Sequence, residues 1–183
     1  MHIVETFDAI PQNLPKPIAL TIGAFDGLHL GHQAIFKHLR TLAPTGTTAV
    51  LTFSNHPSDV LSPTPTPLIY PPDQKLALLK TFDIDLLIFL TFTRDTASNT
   101  YDQFLLSLRS HLPFDHLVLG SDAVLGKGRT GTPPAIHALA KEHHFSATYL
   151  PKVEVDGTPV TSTRIRALLQ EGDTRAASRL LGR

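Results

Sequence analysis

The stretch Ile22-Gly23-Ala24-Phe25-Asp26-Gly27-Leu28-His29-Leu30-Gly31-His32 decides the fold, because it joins an apolar, strand-like run to a helix-like run through three glycines and two histidines. The preceding strand-type residues place this turn at the carboxyl end of a strand. Glycine lets the backbone approach a ligand closely, and the helix that follows presents unpaired N–H groups to it. The stretch therefore predicts a phosphate-binding turn, with His29 and His32 as additional donors.

Apolar strand-like runs and helix-period runs alternate along the chain. The predicted strands form near-continuous runs of Val, Ile, Leu and Phe and are Ile18–Ile22, Thr48–Phe53, Leu86–Phe92, His116–Leu119 and Ala147–Leu150. Such strands are typical of a parallel sheet covered on both faces. Between them, apolar residues recur at helical spacing, as at Ile35, Leu39 and Leu42. The order predicts an α/β fold with a doubly wound parallel sheet, whose ligand site lies outside the carboxyl ends of the strands.

Composition narrows the classes of function. The chain has 183 residues, which fit one domain over 1–183, and its 16 Lys and Arg balance 16 Asp and Glu. No long-range field therefore favours nucleic acid or a membrane surface. The sequence contains no cysteine, no apolar run of membrane-spanning length and no signal-peptide pattern at its start. We expect a cytoplasmic protein with no nucleic-acid or membrane partner.

A second cluster, Thr161-Ser162-Thr163-Arg164-Ile165-Arg166, opens the first of two amphipathic segments that follow the Asp-Gly turn at 155–159. Arginine in the first turn of a helix opposes the helix dipole, and no capping-box glutamate offsets it. An anion bound by the arginines and the free N–H groups would resolve this conflict, so the cluster predicts a second phosphate site. The alternative is that Ser162 or Thr163 is only a helix cap. We expect the Arg166 side chain to be free for phosphate, so that its removal leaves the melting temperature nearly unchanged.

Other motifs keep two interpretations each. His29 and His32 could form half of a zinc site, although the sequence offers no thiolate and no glutamate at metalloprotease spacing. Asp26 could hydrogen-bond its own turn, as Asp before Gly commonly does. The loop 126–131 could be a solvated loop or a binding loop. The proline-rich stretch 57–72 is predicted to be a loop within the domain.

Five motifs together resemble the adenylyltransferase module of bacterial FAD synthetase. They are the turn Gly23–His32, Thr52-Phe53-x-x-His56-Pro57, Gly120-x-Asp122, Gly126-x-x-Arg129-x-Gly131 and the run Thr161–Arg166. The resemblance covers nearly the whole chain. It implies a Rossmann-like fold of the HxGH nucleotidyltransferase type, which joins ATP and FMN into FAD with Mg²⁺.

The resemblance also assigns roles to residues. It implies catalytic roles for His29, His32, Ser162 and Arg166. It implies ATP or FMN binding by Gly23, Phe25, Asp26, Gly31, Asn55, His56, Asp122, Arg129, Thr163 and Arg164. No residue is predicted to be a dedicated metal ligand, since phosphoryl oxygens bind Mg²⁺ with little help from protein; Asp26 and Asp122 are the nearest carboxylates.

The sequence departs from the family pattern in three places. Ala123 and Leu125 stand where members usually have aromatic rings, which bears on flavin contact, and Ser54-Asn55 replaces Asp-Pro. Family members normally continue into a riboflavin kinase domain, whereas this sequence ends at Arg183, so we expect an FMN adenylyltransferase domain without the kinase. Two other functions stay open. One is adenylyl transfer to another phosphomonoester, such as pantetheine phosphate or nicotinamide mononucleotide, and the other is non-catalytic nucleotide binding.

Overall fold

The computed structural model describes residues 1–183 and contains one six-stranded parallel sheet of strand order β1-β4-β3-β2-β5-β6. Its strands are β1 His2–Val4, β2 Ile18–Ile22, β3 Thr47–Phe53, β4 Leu86–Leu90, β5 His116–Gly120 and β6 Ser146–Leu150. The five predicted strands are confirmed, although β4 ends at Leu90 rather than Phe92. The edge strand β1 was not predicted, because three residues are too few to show a period.

Eight α-helices connect and flank these strands. They are α1 Leu30–Leu42, α2 Ser58–Leu61, α3 Pro72–Leu79, α4 Arg94–Ser98, α5 Tyr101–His111, α6 Pro133–Glu142, α7 Ser162–Gln170 and α8 Thr174–Leu181. The predicted turn at 155–159 is a small antiparallel hairpin of β7 Glu154–Val155 and β8 Thr158–Pro159. The stretch 57–72 is mostly irregular, but it contains α2, which its prolines concealed.

The sheet is covered on both faces, as its apolar strands predict. Alternate residues of each strand point to opposite faces. On one face, residues such as Leu20 and Leu117 pack with Leu105 of α5 and Ile136 of α6. On the other face, Val50 and its neighbours pack with the apolar side of α1. The doubly wound parallel sheet is therefore confirmed.

The strand order fixes where a ligand can bind. From β2 the chain proceeds outward through β3 to β4, and it then returns to place β5 on the other side of β2. The order thus reverses between β2 and β5, and the loops that leave their carboxyl ends diverge and open a crevice. The glycine turn follows β2, and Gly120-x-Asp122 ends β5, so both motifs lie at this crevice.

The last two helices form a separate layer beside the crevice. Val160, Ile165 of α7 and Leu180 of α8 belong to a small apolar cluster of their own. The amide of Gln33 joins this layer to the glycine turn, because its Nε2 donates to the carbonyls of Leu28 and Leu181 at 2.9 and 2.8 Å. Among all the helices, there is none whose length and apolar character would let it cross a membrane.

Candidate active site

A cavity of about 960 Å³ lies at the carboxyl end of the sheet, between the turns that follow β2, β3, β5 and β6 and the start of α7. The predicted site residues that line it are Gly23, Phe25, Asp26, His29, Gly31, His32, His56, Asp122, Arg129, Ser162, Thr163 and Arg166. Asn55 and Arg164 are not part of this lining. The fold thus brings together residues up to about 140 positions apart in one space.

The glycine turn is tightly wound, and its glycines are sterically required. Gly27 has φ +85°, and a Cβ there would lie 2.7 Å from the Cδ1 atom of Ile69. A Cβ on Gly31 would lie 3.1 Å from the His29 ring. Phe25 and Leu28 both have positive φ, near 47° and 46°, which is uncommon for bulky residues. The turn therefore stores local strain, a feature that clusters at ligand sites.

His29 is the N-cap of α1 and is held in one tautomer. Its Nδ1 accepts a hydrogen bond from the main-chain N–H of His32 at 3.3 Å, so that Nδ1 carries no proton and Nε2 carries it. The two imidazole rings stack at a centroid distance of 3.6 Å, and Phe25 packs edge-on against His32. A ring in this position presents a neutral N–H donor near the first N–H groups of α1.

Burial keeps both histidines uncharged in the free protein. It lowers the pKa of His29 to about 4. It also lowers the pKa of His32 well below the usual range, with smaller contributions from the neighbouring His29 and Lys75. The Nδ1 atom of His32 is buried and has no hydrogen-bond partner. No group of three or more His, Asp or Glu side chains is placed to hold a metal ion, and so the structure gives the zinc alternative no third ligand.

The residue that caps the N-terminus of α7 is not one of the two that the sequence suggested. Thr161, not Ser162 or Thr163, is the N-cap, and its Oγ1 accepts from the N–H of Arg164 at 3.2 Å. The Ser162 hydroxyl instead donates to the main-chain oxygen of Asp26 at 2.8 Å. This bond ties α7 to the glycine turn. The Arg164 guanidinium points to the carbonyls of β8, with Thr158 O at 3.2 Å, away from the cavity.

Arg166 and Asp26 form the central ion pair of the site. The Arg166 Nη2 atom lies 2.8 Å from Asp26 Oδ2, and the two side chains are only 16% and 5% exposed. Arg166 also donates through Nε to Pro67 O at 2.8 Å, and Asp26 accepts from Ile69 N at 3.1 Å. The expectation that Arg166 has no structural partner is therefore wrong. The carboxylate of Asp26 bonds the distant main chain of Ile69 rather than its own turn.

Two further predicted residues are engaged in structural contacts. Asn55 uses both ends of its amide on the main chain of Phe92: Nδ2 donates to O at 2.9 Å, and Oδ1 accepts from N at 2.8 Å. It thereby fixes the end of β3 against the end of β4. His56 shares a hydrogen bond of 2.6 Å with Ser58 Oγ. Its pKa is lowered by burial and by the charge of Arg166.

The other side of the cavity carries a more exposed ion pair and the loop 126–131. Asp122 Oδ2 lies 2.9 Å from Lys152 Nζ, and the bond to this ammonium lowers the pKa of the carboxyl. Arg129 is exposed on the loop, whose backbone turns through positive φ at Gly126 and Gly128. Ala123 and Leu125 line the cavity here.

Sequence reasoning missed two lysines of the site. Lys152 follows β6 and had no motif to mark it. Lys75 is buried below the glycine turn at only 7% exposure, where it contacts three oxygen atoms of the strand ends. One signal was available, because Lys75 lies four residues before Leu79 and so shares its helical face. Lysine on the buried face of an amphipathic helix is rare unless it has a specific partner.

The arrangement matches the fold of several solved structures. Pantothenate synthetase of Thermus thermophilus aligns over 100% of this chain and 81% of its own, with a TM-score of 0.63 and 14% identity. The crystal structure of a macrolide-efflux protein from Streptococcus pneumoniae aligns over 99% of this chain and 59% of its own, with a TM-score of 0.84 and 24% identity. At such identities the likeness concerns the fold alone. The fold is a Rossmann-like α/β fold.

Sequence comparison identifies the family to which the chain belongs. The sequence model of the family described as FAD synthetase matches residues 11–164. The FAD synthetase of Listeria monocytogenes is 30% identical over 175 residues, which are 94% of this chain and 71% of the relative. The bifunctional riboflavin kinase/FMN adenylyltransferase of Haemophilus influenzae is 34% identical over 170 residues, 90% of this chain and 55% of the relative. The chain therefore belongs to the FAD synthetase family, a family of enzymes, and spans little more than half of the bifunctional relative.

Proposed function

We propose that this protein transfers AMP from ATP to the phosphate of FMN, forming FAD and pyrophosphate. The observation that carries the proposal is the cavity, whose lining combines the glycine turn, His29, His32 and Arg166 with apolar and aromatic side chains. We assign the ATP phosphates to the first group of residues, here called the phosphate end, and the flavin to the second, the apolar end. A volume of about 960 Å³ is at the upper end of the range for small-molecule sites, as two nucleotide-sized substrates require. Membership of the FAD synthetase family and the names of the relatives support the same reaction.

The phosphate end would stabilise the charge that develops on the leaving pyrophosphate. The first N–H groups of α1, the Nε2–H group of His29 and the guanidinium of Arg166 all lie at this end. Donors held in place before reaction stabilise developing negative charge without reorganising. A bound triphosphate would also raise the pKa of His32, because nearby negative charge favours the protonated ring. FMN brings an ionised phosphate as nucleophile, so that the reaction needs no strong protein base.

Magnesium would enter with the ATP phosphates. The residues present fit this role, since Mg²⁺ commonly keeps several waters and binds through substrate phosphates and one or two carboxylates. Asp122, whose side chain is 69% exposed in the cavity lining, is the carboxylate able to reach such an ion, whereas Asp26 is committed to Arg166. When bound, the ion would neutralise charge on the leaving group.

The apolar end would hold the flavin ring system. Phe53, Phe92 and Phe104 line this part of the cavity, and Ala123 and Leu125 face the same space. Flat aromatic ligands gain burial and edge or stacking contacts from such side chains. The small side chain of Ala123 leaves room there that an aromatic residue would fill.

The test is direct assay of product. Purified protein with ATP, Mg²⁺ and FMN is expected to form FAD and pyrophosphate in equal amounts, measured by chromatography and a coupled pyrophosphate assay. Riboflavin, which lacks the attacking phosphate, is expected to give neither. Consumption of pantetheine phosphate or nicotinamide mononucleotide in place of FMN would contradict the proposal, and so would ATP binding with no product from any acceptor.

A matched pair of variants separates the site from the fold. His32→Ala is expected to lower turnover at least about a hundredfold, the scale seen when one preorganised donor is removed. His38→Ala, on the same helix and outside the cavity lining, is expected to leave turnover nearly unchanged. Equal activity of the two variants would contradict the placement of phosphate at α1.

A further inference from the structure

Lys75 places a buried positive charge directly behind the glycine turn. The side chain runs from α3 into the sheet, and its Nζ donates to Ala24 O at 2.5 Å, to Thr52 Oγ1 at 2.8 Å and to Phe53 O at 3.0 Å. These three acceptors match the three N–H groups of an ammonium. One acceptor belongs to the turn after β2, and two belong to the end of β3. The lysine thus connects the two segments that build the phosphate end of the cavity.

The arrangement is costly for stability, and nothing in it resembles an ordinary ion pair. No carboxylate lies within ion-pairing distance of Nζ, and Asp26, the nearest negative charge, is paired with Arg166. Burial lowers the pKa of Lys75 to about 8. A well-packed apolar side chain commonly serves stability better than a buried charge does. The ammonium is therefore better explained by what it holds than by a gain in stability.

We propose that Lys75 is a positioning residue of the active site, which fixes the main chain of Gly23–Asp26 against the end of β3 and, when protonated, supplies a positive charge behind the bound phosphates. The inference rests on the proposed function, because it assigns phosphate to this turn. The Thr52 hydroxyl supports the same contact, since it donates to Ala24 O at 3.1 Å. A displaced Ala24 would move Asp26, and with it Arg166 and Ser162, which both bond to Asp26.

Burial makes the effect of Lys75 dependent on pH, because it lowers the pKa of the ammonium against the opposing influence of Asp26. The titratable and charged groups that face Lys75 are Asp26 of the glycine turn, His32 of α1, His56 after β3 and Arg166 of α7, with the Phe89 ring of β4 at 5.9 Å. Loss of the proton leaves two N–H groups for three oxygen acceptors and removes the charge. We expect kcat/KM for ATP to fall above about pH 8, whereas bound triphosphate would hold the proton and move the fall in kcat to higher pH.

The same titration acts on stability in the opposite direction, which separates positioning from a merely structural role. The pKa of Lys75 is about 8 in the folded chain and 10.5 without perturbation, so the unfolded chain binds the proton more tightly. The destabilising contribution of Lys75 is complete below pH 8 and disappears as the pH rises from 8 to 10.5. Between pH 8 and 10.5 the free energy of unfolding should therefore rise, whereas kcat/KM should fall.

The experiment compares Lys75→Met, which keeps the chain length and removes the charge, with Lys80→Met. Lys80 is an exposed lysine at the end of the same helix and serves as the control. Lys75→Met is expected to weaken Mg²⁺-ATP binding at least about tenfold by calorimetry and to lose the fall in kcat/KM above about pH 8. Hydrogen exchange of the peptide covering 22–32 is expected to become faster. Lys80→Met should change none of these.

The inference is overturned if folded Lys75→Met binds Mg²⁺-ATP as wild type does, exchanges its 22–32 peptide at the wild-type rate and keeps the alkaline fall. If Lys75→Met does not fold, Lys75→Gln, which keeps two neutral N–H donors, is judged by the same three measurements. Failure of the wild type to form FAD would refute the proposed function only. The exchange comparison needs no ligand and would still test whether Lys75 fixes the glycine turn.

Discussion

Replacing Arg166 with alanine is expected to destabilise the free protein as well as to weaken ATP binding. The Asp26 side chain is 5% exposed in the intact protein, and the substitution leaves only the N–H of Ile69 to stabilise its charge. Removing one member of a buried pair costs about 3–5 kcal/mol. Because Arg166 is 16% exposed and Ile69 still donates, we expect a loss of about 2–3 kcal/mol. For a chain of this length that lowers the melting temperature by about 4–12 °C.

A double-mutant cycle isolates the ion pair. Unfolding in urea is measured for wild type, Arg166→Ala, Asp26→Asn and the double variant, and a coupling free energy of about 1–3 kcal/mol is expected. Arg164→Ala is the matched control, because Arg164 lies on the same turn of α7 and donates only to main-chain oxygens of β8. It should change stability by less than about 1 kcal/mol.

The phosphate role of Arg166 is measured on the folded variants. Arg166→Ala is expected to weaken Mg²⁺-ATP binding or turnover at least about tenfold, equivalent to about 1.4 kcal/mol. Arg166→Lys should restore only part of either property, since an ammonium cannot reproduce the fork that spans Asp26 and Pro67 O. An unchanged melting temperature would refute the ion pair. A lower melting temperature with unchanged ATP affinity would refute the phosphate role and leave a structural arginine.

Three further outcomes follow from the geometry. The pKa of His29 in the folded protein is about 4, and that of His32 is also lowered. The free energy of unfolding should therefore be highest above about pH 6.5 and fall toward pH 4, with His29 contributing roughly 3 kcal/mol of the loss. Urea titrations of His29→Asn should show a flatter pH dependence than those of the wild type. In thermal unfolding, Gly27→Ala should lower the free energy of unfolding by about 2–3 kcal/mol. Gly157→Ala, which has a similar φ but lies in open space, should lower it by about 1 kcal/mol. Equal losses would refute the steric argument. Asn55→Ala should lose about 1–3 kcal/mol of stability, because it leaves two main-chain groups at the end of β4 without their partner; an unchanged midpoint in urea would contradict this.

The sequence by itself determined the fold and the place of the site. Strands buried on both faces are predominantly apolar, so the runs 18–22 and 48–53 could be recognised without knowing which strands they pair with. The spacing of the glycines and histidines in 23–32 is likewise set by local geometry, because a strand end, a tight turn and a helix start each require particular residues at particular positions. These local rules were enough to predict the parallel sheet and the glycine turn at the carboxyl end of β2. The full set of fourteen site residues came from the resemblance to the FAD synthetase family, and twelve of them line the cavity.

The partners of the charged side chains were decided by the tertiary structure alone. Asp26 and Arg166 are 140 positions apart, and nothing in either neighbourhood indicates that they pair rather than remain free. Arg164 and Arg166 could not be distinguished from the sequence, yet Arg164 contacts β8 and Arg166 lines the cavity. The burial of Lys75 is likewise explained only by the tertiary structure, because its three oxygen partners come together when β2 and β3 lie side by side. Hydrogen bonds and ion pairs join atoms that are close in space, and for these residues the chain path, not the local sequence, sets that proximity.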